Sequence, residues 1–588
     1  MTIPGQFFIQ ARRLGERRAL LYKEGALWKN ISWREFADQV TALAAYLLSA
    51  GINKGDRVAI LSENCPEWAI ADLAALSIGA VTVPIYFTNS AEQVEFILKD
   101  SGVSIVFVSN EDQYRKLAGN EKNILNSIVL FNPSGIPEGE DIAAFSDIKA
   151  SSFEDGFIER HIAELRPDDT ASILYTSGTT GLPKGVILTH GNLLSNVRDC
   201  KSIVDIREND LFLSFLPLSH AFERTVGYYV PLLSGSTIAY VEAIDKIAQN
   251  MAEVCPTVVV AVPRFYEKTF AAIMENVRSM SVWKRRFFGW SLDVGHKAAA
   301  LRDAAGTLPL TLRIKEFFAH LLVLRKIRKK MGGRIRFFVS GGAALSGEVG
   351  DFFDAIGLTI LEGYGLTETS PVMCCNSLSA RRRGTVGKPL PHVELALADD
   401  GEIITRGPNL MQGYFGRPDL TEELVKDGWF YTGDIGEIDS DGYLKITDRK
   451  KDIIVTSGGK NVAPQVIEGA LVGDSLISQA IVFGEGRKFL AALIVPDFKE
   501  LEYLRLGLVM DEFNRDNLLE NKSVVELFKN RIDKRLKVFA RYEQIRRFSL
   551  LGQEFSIEGG ELTPTLKLKR KVILKKYSGL IERIYEEN

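Results

Sequence analysis

From residue 33 to residue 110 the chain alternates two textures, and that alternation constrains its fold more than any other feature. WREFADQVTALAAYLLSAG places apolar residues at helical spacing and ends at Gly51, a helix stop. DRVAILSE follows as a short, continuously apolar run of the kind that forms a strand buried on both faces. Helical texture returns near Pro66 to Ile78 and Ala91 to Asp100, and strand texture in AVTVPIY and VSIVFVS. Such strands separated by helices predict βαβ units, and hence a doubly wound, mostly parallel sheet covered on both faces. The rhythm recurs over 171–262 and 335–362. From about 384 to 447 it gives way to short strands (VELALA, GEIITRG, GYLKITD) between Gly, Asp and Pro turns. That texture predicts a small antiparallel or β-barrel-like unit. An α+β section with a charged end runs from Asp448 to residue 588.

Composition excludes several classes. A chain of 588 residues has length for about four domain-sized units. With 46% apolar and 25% charged residues it is neither disordered nor collagen-like. A net charge of -3 argues against a globally basic nucleic-acid binder. Five cysteines (65, 200, 255, 374 and 375) are too few for a disulfide framework and show no metal-ligand spacing. They read as small buried hydrophobes in a reducing, cytoplasmic protein. The start, MTIPGQFFIQARR, lacks the basic-then-apolar order of a signal peptide. The best membrane-span candidate, LAALSIGAVTVPIYF, has 15 residues including Pro84, short of the roughly 20 a bilayer needs. It reads as a buried helix followed by a buried strand.

The densest motif is YTSGTTGLPKGV, residues 175 to 186. The apolar strand SILY feeds a loop of glycines and hydroxyls that closes on Lys184. Glycines let backbone N–H groups turn toward an anion. Ser177, Thr179 and Thr180 add hydroxyl donors and Lys184 adds charge, a set suited to a polyphosphate. The pattern is not a Walker A loop, because Lys184 sits between Pro183 and Gly185 instead of opening a helix after glycine.

This string resembles the phosphate loop of the adenylate-forming superfamily, which includes acyl-CoA synthetases, luciferase and peptide-synthetase adenylation domains. Further motifs follow in that family's order: LPLSHAFER at 216–224, SGGA at 340–343, EGYGLTET at 362–369, WFYTGD at 429–434, DRKKD at 448–452, SGGK at 457–460 and PTLK at 564–567. LPLSHAFER and TPTLKLKRK are most similar to the long-chain fatty acyl-CoA synthetase branch. The resemblance implies an AMP-forming ligase using ATP, Mg²⁺ and coenzyme A. A fatty acid carboxylate attacks the α-phosphate, and coenzyme A then displaces AMP. An aryl acid or a carrier-protein thiol stands as the alternative within the class, and a non-catalytic membrane-associated protein as the alternative outside it.

By the same resemblance, Thr176, Ser177, Gly178, Thr179, Thr180, Gly181 and Lys184 hold phosphates, and Gly341, Gly342, Ala343, Tyr364 and Gly365 surround adenine. Glu368 is the metal ligand, a hard carboxylate that suits Mg²⁺. Thr367 donates to the α-phosphate, and His220 is a positioning donor beside the carboxylate, or else a satisfied core histidine. Asp434 accepts from the ribose hydroxyls with Arg449 beside it. Lys567 neutralises charge during adenylation, with Lys569 its nearest competitor, and Leu566 replaces the glycine more common before that lysine. The implied organisation is a body, 1–447, and a mobile lid, 448–588, turning about Asp448. Ser457, Gly458, Gly459 and Lys460 then lie on the lid's second face, toward coenzyme A.

Residues 278–336 stand apart. Here 15 Lys and Arg face three acids, Asp293, Asp303 and Glu316, in a chain that is net negative. Tryptophan, phenylalanine and leucine are interleaved with the charges. Such a segment suits a helix on the inner, anionic membrane surface, or a helical hairpin packed on the body. Nothing beside it marks a nucleic-acid module. An oligomer remains open.

Overall fold

The computed structural model describes residues 1–117, 125–136, 142–148, 156–177, 183–303, 307–505, 519, 521–556, 559–563 and 568–586. The first βαβ run forms as its texture predicts. Helix Trp33–Ser49 starts on a capping box between Ser32 and Glu35, and Gly51 takes the left-handed φ of +82° just beyond its end. Strands Arg57–Leu61, Val81–Ile85 and Val103–Val108 are parallel neighbours in an eight-stranded sheet. Helix Pro66–Ser77 between the first two is buried at every position but Glu67. The apolar run considered as a span is therefore an interior helix and strand, and no helix among the described residues is long and apolar enough to cross a membrane.

A nine-stranded sheet packs against the other side of that helix. Its centre is parallel: Thr237–Tyr240, Leu211–Ser214, Val258–Ala261, Phe337–Ser340 and Ile360–Gly365. Alternate residues enter different cores. Phe212, Val258, Phe337 and Val339 join the core shared with the first sheet, whereas Leu213, Val259 and Phe338 face outer helices. Burial on both faces is why these strands read as unbroken apolar runs.

Arg224 lies at the junction of the two sheets, 1% exposed. It pairs with Asp72 and donates to Ser172 Oγ and Thr82 Oγ1, both at 2.6 Å. Losing one partner of such a pair strands a buried charge and costs about 3–5 kcal/mol. Arg224 thus has a structural place within LPLSHAFER.

Residues 394–449 form a five-stranded antiparallel sheet, the small β unit that the texture predicts. The C-terminal section carries its own sheet, Ile477–Phe483, Leu490–Pro496 and Ile545–Leu550, and its own apolar core. Polar side chains link it to the body: Arg278 to Glu500, Arg535 to Glu348 at 2.8 Å, and Arg264 to Ser478 at 3.3 Å.

The basic segment is helical: Val282–Asp303, Leu310–Ala319, a wider turn at His320–Leu324, and Arg325–Lys330. The first of these helices crosses helix Gly347–Ala355 closely at Gly295, where a Cβ would stand 2.0 Å from the Ala355 carbonyl oxygen. The hairpin therefore packs on the body, one of the two expectations for it.

Candidate active site

A cavity of ≈ 1590 Å³ opens where strands Phe337–Ser340 and Ile360–Gly365 end. Ligands of open α/β sheets bind at the carboxyl ends of strands, where side chains and backbone N–H groups from several loops converge. Eleven residues singled out in the sequence line it: Thr176, Lys184, His220, Gly341, Gly342, Tyr364, Gly365, Thr367, Glu368, Asp434 and Arg449. Motifs scattered over nearly 300 positions thus meet in one space.

Thr176 and Lys184 face each other across the antiparallel hairpin Thr170–Ser177 and Pro183–Thr189. Lys184 Nζ stands 5.3 Å from the centre of the Tyr414 ring. The Tyr414 hydroxyl donates to Glu368 Oε1 at 2.7 Å. Burial, reinforced by the carboxylate, pushes the Tyr414 phenol well above its ordinary range. A cation, an aromatic ring and a carboxylate thus form one chain along a wall of the cavity. Glu368 sits in a tight turn, Thr367–Thr369. Gly365 allows that turn: a Cβ there would lie 1.8 Å from the Pro371 carbonyl oxygen.

A second cluster faces it. The Tyr364 hydroxyl donates to Asp434 Oδ2 at 2.6 Å, and Arg449 Nε lies 3.1 Å from Asp434 Oδ1. Both Asp434 oxygens therefore already serve protein donors, Tyr364 being one that the expected ribose contact did not include. A carboxylate offers about four lone-pair sites, so acceptor capacity remains. Tyr364 is both a buried tyrosine and a cavity wall.

His220 marks the mouth of an apolar arm. Its Nδ1 accepts from the Phe222 backbone N–H at 3.1 Å, which places the proton of a neutral ring on Nε2. Beyond it, Val339 and Phe337 alternate with Gly341 along one strand face, and Phe337, Val258 and Phe212 lie in register across three strands. Phe222, Val226 and Val230, one helical face, cover them, joined by Cys200, Ile203 and Val204 from the end of helix His190–Ile203. Behind that cover Glu223 is fully buried, accepting from Ser214 Oγ at 2.6 Å. Desolvation pushes its carboxyl up to about 8.

From the C-terminal section, Thr563, Leu568, Lys569 and Arg570 line the cavity. Gly178, Thr179, Thr180, Gly181 and Lys567 lie outside the described residues, as does the side chain of Ser177. Ala343 does not line the cavity. Asp448 is 4% exposed in the strand pair joining the antiparallel sheet to the C-terminal section, and desolvation, with Asp452 and Glu468 nearby, pushes it up to about 6. Ser457, Gly458, Gly459 and Lys460 are exposed on a turn and are not among the cavity's residues. Lys460 Nζ stands 5.9 Å from the Tyr542 ring.

Sequence reasoning missed Tyr414 and Arg570, and of the apolar arm it offers only the apolar run PTVVVAVP, residues 256–263, as a tunnel wall. Arg570 bonds the buried Glu468 and the Val482 carbonyl, tying the start of its helix to the C-terminal core.

Known proteins resemble the chain in sequence and in fold. The family model described as AMP-binding enzyme matches residues 7–415, and that of the AMP-binding enzyme C-terminal domain matches residues 451–588. The long-chain-fatty-acid–CoA ligase FadD15 of Mycobacterium tuberculosis is 38% identical over 574 residues, covering 95% of this chain and 93% of its own. Long chain acyl-CoA synthetase 2 of Arabidopsis thaliana is 31% identical, covering 99% and 92%. Among solved structures, the adenylation domain of a carboxylate reductase from Mycobacterium chelonae has a TM-score of 0.78 at 22% identity, covering 100% and 91%. ATP-bound MatB from Rhodopseudomonas palustris has a TM-score of 0.69 at 23% identity, covering 99% and 100%. These last two share the fold.

Proposed function

The chain belongs to the AMP-binding enzyme family, and from that premise we propose that it is an AMP-forming ligase that converts a medium- or long-chain fatty acid to its coenzyme A thioester. The observation that carries the reading is the continuity of one cavity, polar at its mouth and apolar along an arm between three strands and two helical segments. A nucleotide fits the polar end and a hydrocarbon chain the arm. Similarity to long-chain ligases over nearly the whole chain supports the same substrate.

The first step brings a carboxylate onto a polyphosphate, two anions, so positive charge and fixed donors must lower the repulsion. Lys184 and the loop before it hold the phosphates, Thr367 donates to the α-phosphate, and His220 Nε2 orients the acid. Tyr364, Gly341 and Gly342 seat the base, and Asp434 with Arg449 receives the ribose. Glu368 would hold Mg²⁺: it is a hard oxygen donor on the cavity wall, with one oxygen oriented by Tyr414. Bound there, the metal supplies charge neutralisation at the phosphates. The acid oxygen forms its bond to the α-phosphorus as the bond to pyrophosphate breaks. The coenzyme A thiolate then attacks the acyl carbon and AMP leaves.

Lys567 is assigned to the first step, and its neighbours Thr563 and Leu568 line the cavity. The loop 457–460 points elsewhere, so the second step requires the section 448–588 to turn about Asp448, absorbing the backbone change in a short connection. Five free cysteines suit a cytoplasmic enzyme, and the basic hairpin suits contact with the inner membrane surface. Pyrophosphate release on mixing with ATP, Mg²⁺ and palmitate tests the reading. Release with benzoate and not palmitate would move it to aryl acids, and no release with any carboxylate would end it.

A further inference from the structure

The helical hairpin 282–330 carries a feature that packing on the body does not explain. Among the described residues, eleven of the twenty-three large apolar side chains that stand exposed lie between Met280 and Leu322. In helix Leu310–Ala319 and the turn after it they form a stripe: Leu310, Ile314, Phe317 and Leu321 recur every three or four residues and all face solvent. The opposite side of the same helix, at Ala319, is the buried one. The polarity of an ordinary surface helix is thereby reversed. In the partner helix every residue from 282 to 287 is exposed, Trp283 at 71%. Soluble proteins rarely leave contiguous apolar surface uncovered, so such a patch marks an interaction.

We propose that this outer face docks on an anionic lipid bilayer. Charge selects the partner. Lys284, Arg285 and Arg286 stand beside Trp283, and Arg313 and Lys315 flank Ile314, all of them exposed. Apolar side chains entering the acyl boundary, with basic residues at headgroup level, is the composition of an interfacial helix. A second copy fits poorly, because a two-fold contact would set Lys284, Arg285, Arg286, Arg313 and Lys315 against the same five residues. Nucleic acid would leave the aliphatic stripe without a counterpart. The proposal deepens the membrane contact inferred above and rests on the fatty-acid reading only for its purpose, since a bilayer is where such an acid resides. The hairpin is held firmly enough to transmit the contact, through Gly295 against Ala355 and through Phe288 in the outer core.

Flotation of the full chain with vesicles of phosphatidylcholine, with and without phosphatidylglycerol, tests it without using catalysis, so its failure leaves the ligase reading intact. The expected result is a bound fraction on phosphatidylglycerol vesicles at low salt that falls at high salt. Lys284→Gln with Lys315→Gln should weaken binding about 30-fold, following ~1 kcal/mol per basic residue near the surface. Trp283→Ser with Phe317→Ser should weaken it about tenfold or more. Both variants should keep the wild-type Tm, which shows that they fold. No bound fraction at low salt, or variants that float like wild type, would overturn the proposal. So would a wild-type dimer in sedimentation that Trp283→Ser with Phe317→Ser makes monomeric while flotation stays unchanged, because a second copy would then be the occupant.

Discussion

Val258→Phe should convert the enzyme from a long-chain to a medium-chain ligase. The apolar arm runs back along strand Phe337–Ser340 from Gly341, and Phe337, Val258 and Phe212 form one row across three parallel strands. Phe337 lies four residue steps before Gly341, about 13 Å at ~3.3 Å per step. A staggered hydrocarbon of ~1.5 Å bonds advances about 1.25 Å per carbon, so the row lies about ten carbons into the arm. A phenyl ring at position 258 projects into the cavity from that row and closes the path there. Palmitate would then hold its last six or so methylenes unburied, at about 0.8 kcal/mol each, near 5 kcal/mol in the limit. Partial repacking of the arm reduces this, and a fall in kcat/KM of about 10²–10³ is expected, while octanoate stays within about threefold of wild type. Val258 has no exposure, so overpacking should also cost about 1–3 kcal/mol of stability. The assay is pyrophosphate release across saturated acids from C8 to C18, with Tm measured alongside. Loss of equal size at every length would mean general damage, and unchanged palmitate would mean that the chain leaves by another route. Either result refutes the arm as drawn.

Three further perturbations separate roles within the site. Lys567→Ala should cut adenylate formation by about 10²–10³, the scale of losing one preorganised donor, while thioester formation from supplied acyl-adenylate persists. Equal loss in both half-reactions would contradict a lid with two working faces. Tyr414→Phe removes the hydroxyl that orients Glu368, and the Mg²⁺ concentration for half-maximal rate should rise about tenfold or more. An unchanged Mg²⁺ titration would separate Glu368 from the metal. Glu223 should make the protein less stable as pH rises. The native carboxyl keeps its proton up to about 8 while the unfolded one loses it near the ordinary value of 4.5, so unfolding releases a proton in that window. At ~1.36 kcal/mol per pH unit of mismatch the effect amounts to a few kcal/mol, and Glu223→Gln should flatten the decline of Tm between pH 6 and pH 8. An identical decline in the variant would assign it to other groups.

What could be read from the sequence, and what could not, divides along a physical line. The runs around Val58 and Val106 were legible because strands buried on both faces leave a continuous apolar record, and Gly51 because a left-handed turn leaves few alternatives to glycine. Glu368, Asp434 and Lys184 were legible from motif order, although only the structure places them around one cavity. Tyr414 left no local record. It reaches Glu368 because the two-residue strand Gly413–Tyr414 pairs with Val186 and Ile187, over 220 positions away, and a Gly-Tyr dipeptide announces no such pairing. Arg224 shows the converse. The motif that places His220 at the cavity includes it, yet its environment is a buried pair with Asp72, which only the stacking of two sheets creates. The hairpin makes the distinction sharpest. Its spacing reports which residues share a face, since Ile314, Phe317 and Leu321 fall together on any helix. Whether that face meets protein or water depends on where the neighbouring helix Val282–Asp303 sits: it packs against helix Leu310–Ala319, whose buried residue, Ala319, lies opposite the stripe. Periodicity therefore determines the stripe and tertiary packing determines its direction. A function that depends on an outward apolar face can be recognised only once the packed side of the same helix is known.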